Sequence, residues 1–138
     1  MKRVLAVIAV LSSFVLLTGM GDLGGSSPPG KIPSPEKNFK VRLTDRAGVQ
    51  TSLGEFSQDG KVFLSGKRGE AAVTIPFEKI AQVTFEPQQG NLIQASVGLR
   101  GEGTVAITMD RQAKFFAKAD FGTFQIQAKD IKSVNFLP

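Results

Sequence analysis

Phe115, Phe116, Lys118 and Phe121 form the one stretch of this 138-residue chain in which aromatic rings and a cation interleave. On a sheet face such a set can stack on bases or sugar rings while the ammonium meets an anionic group. Adjacent residues of an extended strand point to opposite faces, so Phe115 and Phe116 cannot both enter the same core. One of the two is then exposed or covered from outside. These four residues are therefore read as a candidate contact surface.

The reactive alternatives are fewer. Asp110, Asp120 and Asp130 are evenly spaced, as carboxylates gathered for acid/base work or for a hard cation could be. They fall near expected strand ends and turns, where Asp bonds its local backbone, and the calcium-loop spacing of an EF-hand is absent. Gly98-Leu99-Arg100-Gly101-Glu102-Gly103 is glycine-rich, but no helical pattern follows it and no Lys-Ser/Thr pair accompanies it. It reads as a hairpin or bulge between strands rather than a phosphate cradle. The chain contains neither His nor Cys. That removes the commonest metal ligand, the usual general base and the neutral-pH switch, and it leaves stability to packing rather than to disulfides. No catalytic, cofactor-binding or metal-binding residue is assigned, and no cofactor is expected. A hydrolase working through carboxylates alone, as two-acid glycosidases do, is kept as an alternative.

Composition separates core from surface. All eleven aromatic residues are Phe, which lacks a polar handle and so serves mainly as core filling. The formal charge is +5, with Lys2 and Arg3 at the extreme N-terminus and the other cations scattered among acids, as in Arg42, Asp45 and Arg46 and again in Lys129, Asp130 and Lys132. This is the pattern of a mixed solvated surface. A barrel binding polyanions or nucleic acid is the second alternative, and the mild charge counts against it.

The elements that must position these residues begin at Phe39. Phe39, Val41 and Leu43 alternate with Lys40, Arg42 and Thr44, and the same period of two recurs at Val73 and Ile75, Val83 and Phe85, Val105 to Met109, and Phe124 and Ile126. Turn chemistry punctuates the strands, with Asp59-Gly60 as the best two-residue hairpin. The pattern is also duplicated. Ile75-Pro76-Phe77-Glu78-Lys79-Ile80-Ala81-Gln82-Val83-Thr84-Phe85 lines up with Ile126-Gln127-Ala128-Lys129-Asp130-Ile131-Lys132-Ser133-Val134-Asn135-Phe136, with Ile, Ile, Val and Phe at identical offsets. Upstream, Lys61-Val62-Phe63-Leu64 is set loosely against Lys114-Phe115-Phe116-Ala117. The expected fold is all-β: an internally duplicated antiparallel β-sandwich or small barrel over residues 39–138, with similar halves at about 39–86 and 89–138. One half alone is too small for a comfortable core, and two halves can lay their apolar faces together. In each copy the first Ile should end a strand, the second should plug the core from the turn, and Val and Phe should point inward. The layout of hairpin, short turn and last strand resembles small barrels of the SH3-like type, which implies a helical turn before the final strand and carries over no function.

Ahead of this domain, Lys2-Arg3, the apolar run from Val4 to Leu17 and small residues up to Gly21 read as an export signal over residues 1–21, cut before Asp22. Leu17-Thr18-Gly19 resembles the lipobox of bacterial lipoproteins, with Met20 where the lipidated Cys stands in that family. Met20 cannot take the lipid. An uncleaved membrane anchor over residues 4–20 is the rival reading. Residues 22–38 are rich in Gly, Ser and Pro and read as a flexible linker. The expected place is periplasmic or secreted. The expected role is a noncatalytic binding or structural module of the bacterial cell envelope, with an envelope protein or glycan as partner and the membrane touched only through the N-terminal segment.

Overall fold

Alternation of apolar and polar side chains produces ten strands in the computed structural model, which describes residues 32–138. They are β1 (Val41–Asp45), β2 (Gln50–Gln58), β3 (Phe63–Arg68), β4 (Ala71–Pro76), β5 (Ile80–Pro87), β6 (Leu92–Leu99), β7 (Thr104–Asp110), β8 (Lys114–Ala119), β9 (Gly122–Gln127) and β10 (Ile131–Phe136). Single 3-10 turns, Phe77–Lys79 and Ala128–Asp130, precede β5 and β10. The strands form one antiparallel sheet in the order β4-β3-β7-β6-β5-β10-β1-β2-β8-β9. The fold is all-β and internally duplicated, as the sequence led us to expect.

Exchanging each strand for its counterpart in the other repeat, β1 for β6 through β5 for β10, reverses that order and leaves it unchanged. The sheet therefore has a pseudo-twofold axis. It passes through the central β5–β10 pair, where Val83 lies directly opposite its own repeat equivalent Val134. Backbone bonds repeat about the same axis. The Phe77 N–H donates to Val62 O at 3.0 Å as the Ala128 N–H donates to Ala113 O at 2.8 Å, and Arg100 N to Lys79 O matches Arg46 N to Asp130 O, both 2.9 Å. These bonds set the upstream alignment two positions away from the expected one. Leu64 faces Ile75 as Phe115 faces Ile126, so Val62-Phe63-Leu64 corresponds to Ala113-Lys114-Phe115.

The two repeats do not form two facing sheets. Each gives its β-hairpin to the other: β3–β4 lies beside β7, and β8–β9 lies beside β2. The exchange begins at Asp59-Gly60, where φ values of 54° and 88° define a turn with both central residues left-handed. Gln58 and Lys61 exchange two backbone bonds across it, at 2.9 and 3.0 Å. The hairpin then opens, because β2 continues along β8 while β3 crosses to β7. Where the arms part, the Ser65 N–H donates to the Gln58 side chain Oε1 at 3.0 Å in place of a strand partner.

Among the described residues all buried apolar side chains form a single cluster. Ile80 and Ile131 plug it from the two turns, while Val83, Val134, Phe85 and Phe136 enter from the last strand of each repeat. Phe rings join the repeats: Phe56 to Phe136 at 5.8 Å, Phe77 to Phe136 at 5.0 Å and Phe85 to Phe115 at 6.0 Å between centroids.

Residues 32–38, read from composition as the end of the linker, are held against this domain. A Cβ on Gly60 would meet Pro33 Cβ at 2.9 Å, Lys37 Nζ lies 3.2 Å from Glu78 Oε1, and the Glu55 N–H donates to Asn38 Oδ1 at 2.8 Å. The two proline rings of this stretch limit its freedom, which lowers the entropy lost in laying it on the sheet. The expected signal or anchor, and linker residues 22–31, lie outside the described residues.

Candidate functional site

The four residues of the expected contact surface divide between two faces of β8. Phe115 is 1% exposed and stacks on Phe56 with ring centroids 5.5 Å apart and planes 10° from parallel. It is a core residue, which removes it from the surface. Phe116 points the other way, half-buried, directly opposite Ser57 of β2 and Gln125 of β9. Lys118 shares that outer face, between Gly54 and Thr123, and its Nζ lies 3.7 Å from Glu55 Oε1. Phe121 stands at the tip of the β8–β9 hairpin and is 78% exposed, the most open of the large apolar side chains in the described residues. Phe116, Lys118 and Phe121 thus belong to one hairpin, with Phe115 on its inner side.

Glu55 reaches Lys118 because β2 is irregular there. Its pairing with β8 shifts register between Gly54 and Ser57, and Glu55 takes a φ of 49°. Such a bulge bends the strand and re-aims side chains. The surrounding bonds hold it: Phe56 N donates to Phe39 O at 3.1 Å, and Ser57, fully buried, accepts the Gly60 N–H on its hydroxyl at 3.0 Å.

Beside the bulge runs an open cleft. Val41, Leu53 and Ala119 line it, with Lys40, Ser52, Lys118, Asp120 and Leu137 around them. Past Lys40 and Leu137 a second hollow continues it to Asn38, Glu78 and Arg100. Arg100 is fixed at this end by its Nη2 donating to Leu137 O at 3.1 Å. Among the described residues neither Lys40 nor Arg100 forms an ion pair. Val41 and Leu53 are themselves buried. The exposed surface of the cleft therefore comes from Ala119, Leu137, Asp120 and the Lys40 and Lys118 side chains, a mix that suits a ligand carrying both apolar and anionic groups. Sequence reasoning missed it, because its residues come from β1, β2, β8 and the chain after β10, and no local motif marks Lys40 or Arg100.

The evenly spaced carboxylates are dispersed. Asp110 accepts the Gln112 N–H at 2.8 Å in the β7–β8 turn, Asp120 stands at the β8–β9 tip, and Asp130 lies 3.4 Å from Lys129 Nζ in the second 3-10 turn. Asp110 is held by local backbone bonding and Asp130 by its neighbour Lys129, so the three carboxylates stand on separate turns. No group of three or more acidic residues able to hold a metal ion occurs among the described residues. The glycine-rich stretch forms the β6–β7 hairpin, closed by Leu99 N donating to Gly103 O at 3.0 Å.

The profile of a protein family described as "Uncharacterised protein" matches residues 35–137, and the chain belongs to that family. No curated protein and no solved structure matches it.

Proposed function

We propose that this member of an uncharacterised family is an exported, noncatalytic β module that binds or supports a component of the bacterial cell envelope. The apolar N-terminal segment with its basic start and small-residue end supports export. The observation that carries the binding reading is the β8–β9 hairpin beside the cleft, where Phe116, Lys118 and Phe121 offer rings and a cation on one element. An exposed Phe at a hairpin tip is an anchor that a protein partner can enclose or a sugar ring can stack upon. The acids needed for a two-carboxylate hydrolase are spread over separate turns, which supports binding over catalysis.

The export half is tested by sequencing the N-terminus of the processed chain and by fractionation. Asp22 as first residue in the periplasmic or secreted fraction is the expected result, and a reporter fused behind Asn38 that stays inside the cell overturns it. The binding half is tested by recovery of a specific protein or glycan from envelope extracts, with Phe121→Ala and Lys118→Ala each reducing recovery at unchanged thermal stability. Lys40, Arg100 and Lys118 along one cleft favour a second reading, a polyanion site. Its mark is binding that falls steeply as salt rises, since released counterions set that slope.

A further inference from the structure

The pseudo-axis relates the two ends of the sheet, yet the ends are built differently. β4 finishes at Pro76, which has no N–H to offer, and the tip leading into it is Arg68-Gly69-Glu70. At the equivalent places β9 has Gln127, and its tip reads Ala119-Asp120-Phe121. Edge strands facing water are normally guarded by charge, by proline or by a bulge. β9 has none of these. Gly122-Thr123-Phe124-Gln125-Ile126-Gln127 carries no charged residue and pairs with β8 without a register shift along its whole length.

We propose that β9 is the interface of a symmetric homodimer, pairing antiparallel with β9 of a second copy about a twofold axis through Gln125. That register sets Phe124 opposite Ile126 and Thr123 opposite Gln127, so apolar meets apolar on one face and polar meets polar on the other. The strand is thus self-complementary, which an isologous interface requires. A second copy, rather than a foreign strand, is favoured at the axis: the residue there faces its own copy, where a charge would meet a like charge, and Gln125 is neutral. The exposed Phe121 supplies the second argument. Beyond the paired residues each Phe121 comes beside the Ala128–Asp130 turn of the other copy, where Lys129 offers its methylene stem and ammonium to the ring. The centre of the sheet already pairs equivalent residues in this way, Val83 with Val134. The inference does not depend on the export reading, and in the dimer Phe121 is covered by the second copy, so it is open to an envelope partner only in the monomer.

The test uses the chain expressed and purified from its full sequence, with molar mass measured by sedimentation equilibrium over a concentration series. Wild type should reach the mass of a dimer. Gln125→Lys and Gln125→Glu each place two like charges across the axis and should raise the dissociation constant about fivefold or more. Equal amounts of the two variants should restore a dimer containing one copy of each, while Thr74→Lys on β4 leaves the wild-type dimer intact. Hydrogen exchange needs no variant: the β9 amides should slow as concentration rises, and those of β4 should not. A monomer at every concentration, a dimer indifferent to Gln125→Lys, no mixed dimer from the two variants, or concentration-dependent protection at β4 instead of β9 would each overturn the proposal.

Discussion

Phe85 and Phe136 hold the same position in the two repeats and meet different rings. Phe136 contacts Phe39, Phe56 and Phe77, whereas Phe85 contacts Phe115 alone among the described aromatics. Both are buried, so truncation removes transfer energy and leaves a cavity. Phe85→Ala and Phe136→Ala are each expected to destabilise by about 3–5 kcal/mol, read as a shift of the denaturation midpoint by circular dichroism. Midpoints close to wild type for both would mean that the matched Phe residues are not core elements. Lys118 and Glu55 form a surface pair, and such pairs contribute only about 0–1 kcal/mol, so substitution there reports on binding rather than on folding. At this scale the sequence was informative about type and weak about side. Alternation put Phe115 and Phe116 on opposite faces of β8, but which face is inside depends on β2 and Phe56, far away in the chain.

At the scale of elements, the β3–β4 hairpin is held on its new neighbour by a close backbone approach. A Cβ on Gly66 would sit 2.5 Å from Thr108 O and 2.9 Å from Ile107 Cδ1. The equivalent residue on β8 is Ala117, buried without such a conflict. Gly66→Ala is therefore expected to push β3 off β7 and to cost about 1–3 kcal/mol, with faster amide exchange confined first to β3 and β4. Uniform exchange throughout the sheet would count against a local effect. Strands, turns and the Asp59-Gly60 hairpin were legible because period-two alternation and left-handed turn residues are local signals. The exchange of hairpins was not, since a strand's alternation says which face is apolar and not which neighbour it joins. The contacts of residues 32–38 were not legible for a related reason: composition near Pro33 and Asn38 is polar, and the residues that touch them lie on distant elements.

For the whole described domain, hairpin exchange and one shared core leave neither repeat with a complete interior of its own. Unfolding one repeat strips the hairpin from the other. Denaturation should consequently follow a single transition, with calorimetric and van't Hoff enthalpies in agreement. Two resolved transitions, or a calorimetric enthalpy well above the van't Hoff value, would contradict the shared core. The duplication itself was visible in the matched Ile, Ile, Val and Phe. What it did not disclose was that the copies interlock, because sequence identity between repeats is the same whether each folds on itself or through the other.

The exposed connection between β5 and β6, residues 88–91, is all that joins the two repeats covalently. A protease cutting there would leave two fragments clasped by each other's arms. The nicked molecule should keep its native mass and spectrum, and the pieces should come apart only when denaturant releases the grip.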